Sequence, residues 1–233
     1  LLCRLEQQTL PPCEILVADS ESDDGTAKIA AAHPFVKWLT IPRKTFDHGG
    51  SRHQAFLASC GDVVCFLTQD ALPVDERYLE QLTAAFADPE AACVCGRQVA
   101  DPAARPEEKL TRQFNYPAES CVRSREDVAR LGIKAYFFSD ACSAYRRQDY
   151  LAAGGFAHPL LTNEDMLMAA AQLKRGKKIV YCAEAKVWHS HGYSLAQDYR
   201  RSFDIGVFLK QHQDDLPGGT AHQEGLRYAR WVS

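Results

Sequence analysis

The sequence of 233 residues has no stretch approaching the ~18 consecutive apolar residues of a membrane span, so it does not read as a helical membrane protein. It also lacks an excess of one charge. Its 27 basic and 30 acidic residues leave a net charge of -3, which gives no electrostatic case for nucleic acid. The local basic clusters, Arg200-Arg201 and Lys174-Arg175 with Lys177-Lys178, read as solvated faces. No Cys-x-x-Cys pair occurs among the nine cysteines, which removes the ligand spacing of a structural zinc site. Cys65, Cys93, Cys95 and Cys182 lie in strand-like apolar runs, where free cysteine acts as a small hydrophobe, and a reducing, cytoplasmic compartment is expected. Leu1-Leu2-Cys3-Arg4 lacks the ordered regions of a signal peptide, and no internal repeat is visible. What is present is ordinary globular material: 46% apolar and 24% charged residues, enough for one large domain or two small ones with a real core.

Along the chain, strand and helix patterns alternate. Residues 14–18 read as a strand ending at Asp19, followed by a polar turn and a short helix over 26–32. Residues 36–41 form a second strand, closed by Pro42, and 51–59 a helix. Val63-Val64-Cys65-Phe66-Leu67 reads as a strand buried on both faces that empties at Asp70, where Ala71-Leu72-Pro73 cannot continue it. A helix over 75–87, capped by Asp75, and a strand over 92–96 follow. This rhythm predicts an α/β fold with a mostly parallel sheet flanked by helices. Residues 101–132 are charged and weakly periodic, an insertion over one end of the sheet. Regularity returns over 135–138, in a helix from Glu164 to Lys174 ended by Gly176, and in a strand over 179–188. Leu195, Tyr199, Phe203 and Val207, spaced by four, make the last helix amphipathic with a core-facing stripe, and after Gln211 a mobile tail is expected. Residues 1–10 look like the end of a helix leading into a strand. A nucleotide-binding α/β domain normally starts with a strand before that helix, so its first strand is expected to be missing.

Several side chains stand where such a sheet binds ligands, at the carboxyl ends of its strands. Asp70 suits a divalent cation, or caps the following helix. Asp19 can accept the N3-H of a pyrimidine base or form a turn. Gly49-Gly50 before a helix start, with Arg52, can hold phosphate oxygens, although a surface ion pair also accounts for Arg52. In Asn163-Glu164-Asp165 the two carboxylates complement a helix N-terminus, or Asp165 acts as a general base. The two point about 100° apart, so one of them faces a given substrate. His189 and His191 alternate in an extended segment, both rings on one side, placed to ligate a cation or bind a phosphate.

In order, these segments resemble the family 2 inverting glycosyltransferases with the GT-A fold, and within them bacterial rhamnosyltransferases of cell-surface polysaccharide assembly. The resemblance is carried by Gln8 through Thr26, by Phe46-Asp47-His48-Gly49-Gly50-Ser51-Arg52, and by Thr68-Gln69-Asp70-Ala71. It continues through Ser139-Asp140-Ala141-Cys142-Ser143-Ala144-Tyr145-Arg146-Arg147, Gly154-Gly155-Phe156, Asn163-Glu164-Asp165-Met166 and His189-Ser190-His191-Gly192-Tyr193. It implies a single domain over 1–213, with a nucleotide-sugar-binding half over 1–97 and an insertion and acceptor half over 98–213, then a tail over 214–233. It implies that Asp19, Gly50, Arg52, Gln69 and Asp70 contact the donor. Asp165 would be the catalytic base with Glu164 beside it, and Asp70 with His189 or His191 would approach Mg²⁺ or Mn²⁺ bound with the nucleoside diphosphate. The expected reaction moves a sugar, L-rhamnose from dTDP-rhamnose or another dTDP or UDP sugar, to a saccharide or lipid-linked acceptor with inversion. The expected place is the cytoplasm, with peripheral association at the inner membrane face. Thr68 stands where the family's metal motif has its first carboxylate, so the cation would arrive with the donor. The alternatives are a sugar-phosphate nucleotidyltransferase and a non-catalytic nucleotide-sugar-binding domain.

Overall fold

Short apolar runs bounded by polar turns become strands, and the longer segments between them become helices. In the computed structural model, which describes residues 1–217 and 221–232, the chain runs α1 (Leu2–Glu6), β1 (Ile15–Asp19), α2 (Thr26–Ala31), β2 (Val36–Thr40), α3 (His48–Ala58) and β3 (Val63–Leu67). It continues through β4 (Leu72–Pro73), α4 (Tyr78–Ala84), β5 (Ala91–Val99), α5 (Pro106–Asn115), β6 (Cys121–Arg123) and α6 (Val128–Leu131). Last come β7 (Cys142–Arg146), α7 (Arg147–Ala152), α8 (Glu164–Lys174), β8 (Lys178–Trp188), α9 (Leu195–Gln211) and α10 (Ala221–Val232).

β1 and β2 pair in parallel as a separate two-stranded sheet, and the other strands form one sheet in the order β3-β7-β5-β8-β4, with β6 also along β8. The α/β class is as expected, but the sheet is mixed. β5 and β8 run parallel, while β7 runs antiparallel to both β3 and β5. β7 escapes pattern reading because Ser143 interrupts its apolar run, and 135–138, read as the regular segment, is the end of a 3-10 turn followed by irregular chain. β3 is therefore half-buried beside β7 rather than inside a parallel sheet. Between Gly96 and Arg97 of β5, the register on β8 jumps from Cys182 to Lys186. This bulge brings the Ala185 carbonyl so close that a Cβ on Gly96 would lie 2.6 Å from it. After the bulge β8 resumes pairing, and the His189 amide bonds the Val99 carbonyl at 3.0 Å, fixing where the strand delivers its histidines.

One face of the sheet packs Tyr145, Ile179 and Tyr181 under α3 and α8, and the other packs Val94, Ala144 and Val187 under α4. Met168 and Leu173 of α8 are each 1% exposed, and burying such side chains contributes about 1.5–3 kcal/mol apiece. The α9 expectation is corrected: Leu195, Tyr199, Phe203 and Val207 are 40–83% exposed, because the helix docks through Phe208 and Leu209 on its other side. The expected tail is corrected too. Leu216 is buried, and α10 lies on α5, with Tyr228 and Trp231 against Phe114; residues 218–220 and 233 of that stretch lie outside the described residues.

Candidate active site

Asn163 adopts a left-handed conformation (φ 62°) that starts α8 abruptly and places two successive carboxylates in its first turn. Glu164 is 1% exposed, and its carboxylate receives Arg52 Nη1 from α3. Arg52 Nε also lies 4.0 Å from Asp140 Oδ2. Asp165 makes no ion pair among the described residues. Its Oδ2 accepts the Asp140 amide at 3.1 Å and its Oδ1 the Met166 amide at 2.8 Å. The sequence leaves open which carboxylate is free; the structure commits Glu164 to a guanidinium and leaves Asp165 held only by amides.

Asp140 sits beneath them, 1% exposed, with Oδ1 accepting the Ser143 hydroxyl at 2.6 Å and the Tyr145 hydroxyl at 2.7 Å. Two carboxylates thus pair with one guanidinium, and Asp165 lies within reach of its charge. Burial pushes Asp140 up to about 6. Burial, then the negative charges of Glu164 and Asp140, hold the Asp165 carboxyl well above the usual range. A carboxylate so placed is a stronger base than an exposed one.

The start of α3 departs from the phosphate-cradle expectation. Asp47 caps the helix, its Oδ1 accepting both the Gly50 amide at 2.7 Å and the Leu160 amide at 3.0 Å. The Gly49 amide bonds the Leu160 carbonyl at 3.3 Å, and a Cβ there would lie 2.1 Å from the Ala157 carbonyl oxygen. These glycines let α3 lie against the loop before α8, and the Gly50 amide is spent on that task. Arg52, expected at the donor, neutralises the buried acids instead. Asp19, at the end of β1 in the other sheet, accepts the Ser22 amide at 2.9 Å, the turn-forming alternative of the sequence reading.

The third group gathers Asp70, in the turn after β3, with His189 and His191, just past β8. One ligand atom from each lies within 4.8 Å of the others. His189 Nε2 is 3.3 Å from Asp70 Oδ1, and His191 Nδ1 is 3.4 Å from Asp70 Oδ2. His189 Nε2 is buried and has no aligned hydrogen-bond partner among the described residues, although the carboxylate lies near it. Burial, then the charge of Arg112, pushes His189 down to about 4, so its imidazole is neutral at pH 7. Burial works against the Asp70 charge, but the Thr68 hydroxyl and the two imidazoles outweigh it and hold the carboxyl below its ordinary value. An ionised carboxylate and a neutral imidazole nitrogen 3.3 Å apart form a donor set for a divalent cation. Gln69 is exposed in the same turn.

Sequence reading missed Asp140, Gln98, Glu108 and Arg112 as site residues. Asp140 carries the signal that pointed to Asp70, a carboxylate against an apolar run. Gln98 is an amide at the end of a buried strand. Glu108 and Arg112 belong to α5, where Glu108 accepts the His191 amide at 2.7 Å. No local pattern announces any of these three.

The family model described as glycosyl transferase family 2 matches residues 1–151. The chain is 41% identical over 234 residues to the O-antigen chain rhamnosyltransferase RfbN of Salmonella typhimurium, covering 99% of this chain and 74% of that one. It is also 41% identical over 230 residues to the O-antigen chain rhamnosyltransferase WbaN of Salmonella anatum, covering 97% of this chain and 72% of that one. Among solved structures, it superposes on the mannosyltransferase PcManGT of Pyrobaculum calidifontis, in complex with GDP-Man and Mn²⁺, with a TM-score of 0.68 at 18% identity. That match covers 94% of this chain and 60% of the mannosyltransferase chain. S. aureus TarS 1–349 with UDP-GlcNAc gives a TM-score of 0.62 at 18% identity, over 92% of this chain and 68% of that one. The two structures establish the shared fold, and the family match with the 41% identities establishes the lineage: this chain belongs to glycosyl transferase family 2 and is a glycosyltransferase of the GT-A type.

Proposed function

We propose that the chain transfers L-rhamnose from a nucleoside diphosphate donor, dTDP-rhamnose first among the dTDP and UDP sugars, to a hydroxyl of a saccharide or lipid-linked acceptor, with inversion. The setting is polysaccharide synthesis in the cytoplasm. The donor sugar and the process rest on the 41% identity to two O-antigen chain rhamnosyltransferases. Membership of the glycosyltransferase family leaves the nucleotidyltransferase alternative without support. No helix among the described residues is long and apolar enough to cross a membrane.

The observation that carries the mechanism is the orphaned Nε2 of His189 facing the Asp70 carboxylate. These residues fit a divalent cation: Asp70, His189 and His191 would hold Mg²⁺ or Mn²⁺. Such an ion, when bound, neutralises charge on the departing diphosphate. Arg112 and Arg201 add positive charge around His191, which favours the same anionic group. Asp19, with one oxygen in its turn, has the other to accept the N3-H of the base, and Gln69 lines the donor side. Asp165 removes the proton from the attacking acceptor hydroxyl, oriented by the Asp140 amide. Attack from the face opposite the diphosphate inverts the anomeric centre. Glu164 and Arg52 keep that base fixed without touching substrate.

The test is transfer to a lipid-linked saccharide acceptor from dTDP-rhamnose, UDP-glucose and GDP-mannose, each with Mn²⁺ or with EDTA. Transfer from dTDP-rhamnose that EDTA abolishes is expected. Preference for the GDP sugar, or full activity in EDTA, would overturn the donor or the cation assignment respectively.

A further inference from the structure

His189 reaches Asp70 with a defined nitrogen only if something fixes its other nitrogen. Imidazole carries a single proton when neutral, and the hydrogen bond made by one nitrogen decides the state of the second. His189 Nδ1 lies 2.7 Å from Gln98 Oε1. Arg112 Nη1 contacts the same Gln98 atom. A guanidinium only donates, so the atom between them is the amide oxygen, and His189 must present Nδ1–H to it. The amide nitrogen of Gln98 points the other way and donates to Ser139 Oγ at 2.8 Å. Gln98 is 2% exposed, so no alternative orientation is solvated.

The next residue after Ser139 is Asp140, whose amide holds Asp165. Gln98 therefore spans the two charged clusters: its oxygen faces the histidine beside Asp70 and its nitrogen the turn that orients the proposed base. Its Arg112 pin comes from α5, which also anchors the His191 amide through Glu108. α5 is in turn covered by α10.

We propose that Gln98 is a positioning residue of the transfer reaction: pinned by Arg112 and Ser139, it holds His189 as the Nδ1–H tautomer, aims the Nε2 lone pair at Asp70, and ties this cation site to the Asp140–Asp165 turn. The proposal rests on the cation reading of the Asp70 cluster, and its test separates the two.

Long-range ¹H–¹⁵N correlation on ¹⁵N-histidine-labelled protein without metal reads the tautomer directly. The native chain is expected to show His189 protonated on Nδ1; protonation on Nε2 overturns the proposal whatever any variant does. In Gln98→Leu the proton is expected to move to Nε2, and Mn²⁺ affinity measured with dTDP present to fall about 10- to 100-fold. Gln98→Glu keeps an acceptor for both Arg112 and His189, so the native tautomer and near-native Mn²⁺ affinity are expected. An unchanged tautomer in Gln98→Leu, or loss of Mn²⁺ binding in Gln98→Glu with the native tautomer retained, refutes the positioning role. Mn²⁺ binding that survives Asp70→Ala overturns the cation reading itself, leaving the tautomer result standing.

Discussion

The two charged clusters, around Asp165 and around Asp70, solve the same electrostatic problem in opposite ways. Asp140, Glu164 and Asp165 are buried together, and the protein supplies their cation, Arg52, from α3. Asp70 is more exposed, and its ion-pair partners among the described residues are imidazoles, one of them neutral with its lone pair turned toward the carboxylate. A cluster that carries its own counter-charge is set to hold a proton-transfer group in place. One that leaves donors facing each other is set to receive a cation from outside. On the proposed reading, the contrast divides the labour of transfer: proton removal on the α8 side, leaving-group charge on the β8 side.

The largest effect is expected where the contrast is removed at its working atom. Asp165→Asn keeps the shape but removes the base, and transfer should fall by roughly 10²- to 10⁴-fold while donor binding persists. The same variant gives up one of the two backbone amides that the carboxylate accepts but relieves a charge buried among like charges, so its thermal unfolding should shift little. Near-native turnover would contradict the assignment.

Removing the internal cation tests the other half of the division. Arg52→Met strands Asp140 and Glu164 without compensation, and breaking a buried pair of this kind costs about 3–5 kcal/mol in urea unfolding. The double variant Arg52→Met with Glu164→Gln should recover part of that loss. A single-variant cost below about 1 kcal/mol would show that Arg52 is not the counter-charge.

How much of this was legible in the sequence follows from what each feature depends on. α8 and β8 were readable because their periodicity is local, and Asp70, Asp165 and the two histidines stand at the ends of elements with clear boundaries. β7 was not readable, since Ser143 and Tyr145 point at Asp140 rather than forming an apolar alternation. A glycine pair before a helix is a common anion cradle, so the sequence points Gly50 and Arg52 at the donor. Only tertiary packing shows that Asp47 and the 157–160 loop use those amides first. Gln98 and Arg112 lie 14 residues apart and meet at one atom, a relation no pattern encodes. The α9 stripe has the period of a buried face, and period alone does not say which side docks.

A finer test uses pH. The proposed base, Asp165, would act only when ionised, and its carboxyl is held well above the ordinary value, so activity should rise with pH along an acid limb above that of an exposed carboxylate. Asp140→Asn removes one of the negative neighbours while keeping the backbone amide that orients Asp165. The limb should then move to lower pH; a limb that stays or moves up would contradict the shared-charge account.

The most direct test of the division is thermal unfolding of the native chain, Asp70→Ala and Asp165→Asn, each with dTDP, with and without Mn²⁺. Metal-dependent stabilisation by dTDP is predicted for the native chain and for Asp165→Asn, and its loss in Asp70→Ala. Equal stabilisation of all three, or loss in Asp165→Asn with retention in Asp70→Ala, would contradict the claim that the cation belongs beside β8 and the base to α8.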